Sequence, residues 1–93
     1  MRVSYTPESI NDLKRLREFI AVKNLSAAKR VATSILTGIS QLKIFPYLGG
    51  EVQQAPKPEI VRDLIIGNYI VRYLIRSEKI DILRVWHHKE ERL

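Results

Sequence analysis

Two adjacent histidines, His87 and His88, are the best candidates in this sequence for acid–base catalysis. Histidine exchanges protons near neutral pH, so either ring could act as a general acid or base. Arg72, Arg76 or Arg84 could hold a phosphate nearby. Neighbouring side chains of a continuous strand point to opposite sides, so a strand running through both histidines would separate them. The pattern permits acid–base chemistry without requiring it.

Metal and thiol chemistry have less support. The chain has no cysteine, which removes disulfides, thiolate catalysis and cysteine-bound zinc and fits a reducing cytosol. The two histidines lack a third or fourth ligand at a suitable spacing. We expect no metal and no cofactor.

Length and charge limit the remaining classes. The chain has 93 residues and a net charge of +6, which favours an anionic partner such as nucleic acid, an acidic protein surface or an acidic peptide. Residues 1–56 carry eight Lys and Arg against four Asp and Glu, and residues 57–93 carry eight against six. The charge is therefore not a dense basic tract, and nucleic-acid binding is allowed rather than required.

The same features predict where the protein works. Residues 1–5 lack the apolar core of a signal peptide, and no segment approaches the roughly 20 apolar residues of a membrane span. We expect a cytoplasmic protein that forms a single domain over residues 1–93 and does not bind a membrane.

The first half of the sequence predicts a strand and two helices. Arg2–Tyr5 alternates like a strand, and Thr6-Pro7-Glu8 provides an N-cap, a proline at the first helical position and an early acid. An amphipathic helix should run to about Lys23, and Ser26 should cap a second one, so that the two form an antiparallel hairpin. The apolar stripe of the second helix comprises Ala28, Val31, Ala32, Ile35, Ile39 and Leu42.

The second half predicts a loop followed by three strands. Residues 45–59 have neither helical nor strand periodicity, whereas residues 60–66 and 69–77 flank Gly67-Asn68 as a hairpin. A third strand, residues 80–86, follows Glu78-Lys79. The order β-α-α-β-β-β predicts an α+β domain, a helical hairpin packed on a mostly antiparallel four-stranded sheet.

A two-residue turn at Gly67-Asn68 fixes the hairpin register. It pairs Leu64 with Val71, Ile66 with Tyr69, and Asp63 with Arg72. The register places two sets of alternating residues. Val71, Tyr73 and Ile75 face the helices, and the side of the sheet away from the helices, here called the open face, carries Ile70, Arg72, Leu74 and Arg76.

The register of the last strand is left open by the sequence. A two-residue turn would pair Arg76 with Asp81, whereas a three-residue turn would reverse which of Arg84 and Val85 points outward. Trp86 is accordingly either a core residue under the helices or part of a contact surface.

Motifs along nearly the whole chain resemble the ParE/RelE toxin superfamily of type II toxin–antitoxin systems. No single motif is specific, but their order and spacing are. The motifs are Tyr5-Thr6-Pro7, Asn24 with Ala27-Ala28, Phe45-Pro46-Tyr47-Leu48-Gly49, and the run from Val61 to Tyr69 leading into Ile82-Leu83-Arg84-Val85-Trp86-His87. The resemblance implies a toxin that a cognate antitoxin neutralises by wrapping around it as a hetero-oligomer. The candidate antitoxin-binding residues are Ile70, Arg72, Leu74 and Arg76.

The superfamily contains two mechanisms. RelE-like members cleave messenger RNA on the ribosome with basic residues of the open sheet face and the segment after the last strand, whereas ParE-like members inhibit DNA gyrase. Here Ile70 and Glu90 stand where an RNA-cleaving member would have arginine, and the chain stops at Leu93 before the expected C-terminal tyrosine. The comparison favours a gyrase inhibitor that is not an enzyme.

The two mechanisms assign different roles to the C-terminal residues. For gyrase, the candidate target-binding residues are Arg84, Trp86, His87, Lys89 and Arg92, because tryptophan and arginine supply large contacts and charge-assisted hydrogen bonds. For the alternative of a ribosome-dependent endoribonuclease acting on mRNA, the candidate catalytic residues are His87, His88 and Arg84. A non-toxic DNA- or protein-binding module would need a concentrated basic face, which the sequence does not show.

Overall fold

The computed structural model describes residues 1–90. Two helices pack on one mixed sheet, whose strand order is β1-β5-β4-β3-β2. In chain order the elements are β1 (Arg2–Tyr5), α1 (Pro7–Lys23), α2 (Leu25–Ser40), a short 3-10 helix (Gln41–Lys43), β2 (Gly50–Glu51), β3 (Val61–Ile66), β4 (Tyr69–Ile75) and β5 (Lys79–His87). β1 pairs with β5 in parallel, and the other neighbours are antiparallel. The α+β expectation is confirmed, but the sheet has five strands rather than four.

The additional strand is β2, inside the segment expected to be a loop. Gly50 pairs with Asp63 and Glu51 with Arg62 of β3. A strand of two residues carries no periodicity for a sequence pattern to reveal. Only the position of β3 beside it makes this segment a strand.

The helices begin at the caps that their sequences supply. The Thr6 hydroxyl accepts a hydrogen bond from the Ser9 amide at 3.1 Å, which confirms the predicted start of α1. Asn24, rather than Ser26, caps α2, because its side chain accepts from the Ala27 amide at 3.0 Å. A single residue therefore separates the helices, and Leu42 of the predicted stripe lies in the 3-10 helix.

The β3–β4 hairpin has the predicted register. Leu64 pairs with Val71, Ile66 with Tyr69 and Asp63 with Arg72. Gly67 takes a φ of +58°, which favours glycine at this turn position.

The pairing of β4 with β5 differs from both alternatives. The turn lies at Ser77-Glu78, so Leu74, not Arg76, is opposite Asp81. A bulge then shifts the ladder: Tyr73 pairs with Ile82 and Arg72 with Arg84, which leaves Leu83 as the extra residue. Beyond it, Val71 pairs with Val85 in the core.

The core lies between the helices and the sheet. The predicted core residues Val71, Tyr73 and Ile75 are buried there. The fully buried Tyr73 donates its hydroxyl to the Pro46 carbonyl at 2.8 Å and accepts from the Gly49 amide at 2.9 Å, so it also fixes the loop before β2. No helix within residues 1–90 is long and apolar enough to cross a membrane.

Candidate functional site

The predicted antitoxin-binding residues share the sheet face opposite the helices. Ile70, Arg72 and Leu74 are half-buried there, and Arg76 is exposed. Both arginines are ion-paired. Arg72 donates from Nε and Nη2 to the two carboxylate oxygens of Asp63, at 2.8 and 3.0 Å, and Arg76 Nε donates to Asp81 Oδ2 at 2.5 Å. The open face is therefore partly apolar, but its arginine charge is largely balanced by carboxylates.

Trp86 belongs to the same face, because it pairs with Ile70 across the strands. The Arg72 guanidinium lies 5.1 Å from its ring centroid, and Trp86 is only 7% exposed. The residue is buried, as a core position would be, but on the side of the sheet away from the helices. It thus joins the predicted antitoxin-binding residues rather than the other predicted target-binding residues.

Arg84 is fixed to the first helix. Its Nε and Nη2 atoms donate to the two carboxylate oxygens of Asp12, at 2.8 and 3.0 Å, and the Val85 amide donates to Asp12 Oδ2 at 2.9 Å. Burial would raise the pKa of Asp12, but the hydrogen bonds from Arg84 and Val85 and the charges of Arg84 and Arg15 outweigh it and lower this pKa. The ion pair joins β5 to α1, and the Arg84 guanidinium uses its Nε and Nη2 donors for that contact.

The two histidines lie close together. Their ring centroids are 4.7 Å apart at an interplanar angle of 28°, and His87 also meets the Tyr69 ring edge-on at 5.2 Å. The strand that would have separated them does not run through both, because β5 ends at His87 and the chain turns as the His88 amide donates to the Asn68 carbonyl. His87 Nδ1 accepts from the Lys89 amide at 3.1 Å.

A cleft separates this end of β5 from α1. It is lined by Arg15, Leu16, Phe19, Ile20, Tyr69, His87, Lys89 and Glu90. Glu90 lies across its mouth: Oε2 accepts from Arg15 Nη1 at 2.9 Å, and Oε1 accepts from the His87 amide at 2.9 Å. A carboxylate therefore occupies the region beside the histidines.

The predicted target-binding residues are not brought together. Trp86 faces the open side of the sheet, His87 faces the cleft beside α1, and Arg84 is held by Asp12. Lys89 lines the cleft with His87, and Arg92 lies outside the described residues. The described members form two separate surfaces.

Sequence reasoning missed Asp12 as a structural anchor. The sequence gives no signal for it, because its spacing resembles that of the exposed charged residues of an amphipathic helix. Arg62 contacts residues on both sides of the loop before β3: its Nε donates to the Glu59 carbonyl at 3.0 Å, and its carboxylate partner is Glu51 at 3.6 Å. Within the described part of the chain, no three potential metal ligands cluster.

Comparisons with known proteins agree with this architecture. No curated protein matches the sequence. A solved chain of the chromosomal ParDE TA system from P. aeruginosa superimposes with a TM-score of 0.78 at 19% identity, covering 94% of this chain and 95% of that one. A family model described as the ParE toxin of the type II toxin–antitoxin system, parDE, matches residues 3–92. The chain therefore belongs to the ParE toxin family of type II toxin–antitoxin systems.

Proposed function

We propose that this toxin inhibits DNA gyrase without catalysing a reaction itself and that a cognate antitoxin neutralises it in a hetero-oligomer. One observation carries the choice of mechanism. Each arginine that an RNA-cleaving site would aim at phosphate is bound to a carboxylate: Arg72 to Asp63, Arg76 to Asp81 and Arg84 to Asp12.

Metal-independent RNA cleavage needs cations that stabilise a charged phosphorane. A guanidinium whose Nε and Nη2 atoms both donate to one carboxylate, as in Arg72 and Arg84, contributes little net positive charge to a phosphate. For these arginines to engage RNA, they would first have to break bidentate ion pairs. That cost argues against a preorganised nuclease site.

The residues beside the histidines point the same way. Glu90 places a carboxylate at the His87 amide, where negative charge would oppose the charge that develops during cleavage. Ile70, half-buried on the open face, offers no charge at all. Both observations agree with the sequence comparison that favoured a ParE-like mechanism.

An antitoxin partner is supported by the family and by the surface. The structural neighbour comes from a ParDE TA system, and this chain carries the net positive charge that an acidic segment would complement. The open face, where Ile70 and Leu74 alternate with Arg72 and Arg76, is our candidate for part of that contact.

Two assays with purified components test the proposed mechanism. We expect the protein to block gyrase supercoiling of relaxed plasmid, or to trap cleaved DNA, while ribosome-bound message stays intact. Message cut at codon boundaries would overturn the proposal in favour of the endoribonuclease.

Histidine variants provide a second comparison. His88→Ala should retain gyrase inhibition within a few-fold, because no proton transfer is required and this residue is not a candidate for gyrase contact. His87→Ala, at a candidate target-binding residue, should weaken inhibition by about tenfold or less, as loss of one contact side chain does. A nuclease would instead lose about two to four orders of magnitude in rate on loss of its general acid or base. Circular dichroism of both variants checks that folding is unchanged.

A further inference from the structure

The Glu90 carboxylate lies in an anion-binding arrangement at the cleft between α1 and the end of β5. Its Oε2 accepts from Arg15 Nη1 at 2.9 Å, and its Oε1 accepts from the His87 amide at 2.9 Å. A guanidinium beside a backbone N–H is a donor set that also binds phosphate. Lys89 lines the same cleft, is exposed, and its ammonium forms no ion pair within residues 1–90. The cleft thus holds more cationic donors than one carboxylate uses.

The walls of this cleft are apolar and aromatic. Leu16, Phe19 and Ile20 of α1 line one side, and the edge-on pair of Tyr69 and His87 lines the other. The Phe19 side chain is 69% exposed, so its ring is accessible to a ligand. The cleft has a volume of about 600 Å³, within the roughly 300–1,000 Å³ of small-molecule sites. Its size and walls suit a small ligand that carries both an anionic group and a flat apolar group.

The charges around the cleft become positive once Glu90 moves aside. Among the described residues that line it, Glu90 is the only acid. A second carboxylate, Asp12, lies 3.6 Å from Arg15 Nη2, but Arg84 already binds both of its oxygens. Burial, and then the charge of Glu90, raise the pKa of Tyr69, so its phenol stays neutral and can donate to an anion. Displacement of one side chain therefore opens a cationic site.

We infer that this cleft binds a mononucleotide and that Glu90 occupies its phosphate site until the ligand displaces it. The phosphate takes over the Arg15 guanidinium and the His87 amide, Lys89 adds positive charge, and the base packs against the aromatic wall. A phosphate monoester can displace Glu90, because it carries more charge and more acceptor oxygens than a carboxylate. This binding site goes beyond the proposed inhibition of gyrase and depends on neither gyrase nor the antitoxin.

Titration of AMP into the isotope-labelled full chain, followed by NMR, tests the site. The His87 amide resonance should shift saturably. Glu90→Gln removes the competing charge but keeps the side-chain shape, and should bind AMP about tenfold more tightly than the parent protein, because its site is no longer occupied in cis. Arg15→Gln should weaken AMP binding about tenfold or more through loss of a charged donor. Glu51→Gln, which removes a carboxylate paired with Arg62 outside the cleft, is the matched control and should leave the affinity unchanged.

Three further probes separate the parts of the ligand. Adenosine, which lacks the phosphate, should not shift the His87 amide, and inorganic phosphate should bind more weakly than AMP because it misses the aromatic wall. If a DNA duplex without terminal phosphates shifts this resonance as strongly as AMP, the cleft binds DNA backbone and the inference is overturned. It is also overturned if Glu90→Gln and Glu51→Gln, both folded by circular dichroism, bind AMP equally.

Discussion

Arg84 and Asp12, 72 positions apart, form a two-point ion pair that connects the last strand to the first helix, with Nε–Oδ2 at 2.8 Å and Nη2–Oδ1 at 3.0 Å. Asp12 is 4% exposed and also accepts from the Val85 amide. One carboxylate thus fixes the position of α1 over the sheet, and the bulge at Leu83 sets the backbone that presents Arg84 and the Val85 amide to it.

Replacing this carboxylate should destabilise the fold. Asp12→Ala leaves the Val85 amide without its acceptor and Arg84 without its partner, and should lower the free energy of unfolding by about 2–3 kcal/mol. Because the Arg84 side chain is 40% exposed, water compensates part of the loss. Urea denaturation measures the effect. Glu18→Ala, an exposed acid on the same helix, should change stability by less than about 0.5 kcal/mol.

The same carboxylate makes stability depend on pH. The pKa of Asp12 is lowered in the fold, since its hydrogen bonds and neighbouring cations outweigh burial; that of Asp81 is lowered by the Ser4 hydrogen bond and then, against burial, by Arg76 and Lys79. A lowered folded pKa contributes stability above the unfolded value of about 3.9, and this is lost as pH falls through the folded pKa.

We therefore expect the urea midpoint to fall between about pH 5 and about pH 3 and to vary little between about pH 5 and pH 7. Asp12→Asn, which does not titrate, should show a smaller fall over the acidic interval. If Asp12→Asn lost as much stability as the parent protein on acidification, Asp12 would not contribute to the pH dependence of stability.

The buried tyrosine of β4 should matter through its hydroxyl. Tyr73→Phe removes the bonds to the Pro46 carbonyl and the Gly49 amide, and should cost about 1–3 kcal/mol. Thermal or urea unfolding reports the loss. Tyr69→Phe is the matched control, because this half-buried tyrosine contributes its ring to His87 and should tolerate loss of its hydroxyl. Equal stability of the two variants would show that the Tyr73 hydroxyl does not stabilise the fold.

Two adjacent glycines should respond differently to alanine. A Cβ at Gly49 would lie 2.7 Å from the Asp63 carbonyl oxygen and 2.9 Å from Tyr73 Cε1, whereas one at Gly50 would meet no atom within 4 Å. Gly49→Ala should cost about 1–3 kcal/mol through forced backbone movement. Gly50→Ala should stay within about 0.5 kcal/mol of the parent protein. Denaturation of both variants checks the contrast, and a neutral Gly49→Ala would contradict it.

The open face should contribute to antitoxin affinity. Ile70→Glu places a carboxylate where we propose that an acidic partner binds, and should weaken binding about tenfold or more by like-charge repulsion. Isothermal titration calorimetry with the cognate antitoxin gives the affinity. Val22→Glu, at an 86% exposed position of α1, controls for the added charge. If the two variants bind equally well, Ile70 is not in the contact.

Local patterns were enough to predict much of the fold. Thr6 and Pro7 define the start of α1, because capping and a fixed φ act within one turn of chain. The β3–β4 register followed from Gly67 and alternation, because a tight turn leaves few ways to pair its strands. Family membership was also predicted from motif order, and the family match confirms it.

Tertiary structure decided what depends on distant partners. β2 is a strand only because β3 lies beside it, and the bulge at Leu83 determines that Trp86 faces away from the helices while His87 faces the cleft. Ion pairing was also decided by the packed fold: Arg76 meets Asp81 across a turn, and Arg84 meets Asp12 across the domain. Helix caps and tight turns are determined by neighbouring residues. Electrostatic pairing instead depends on which side chains the packed sheet and helices bring within a few ångströms of each other.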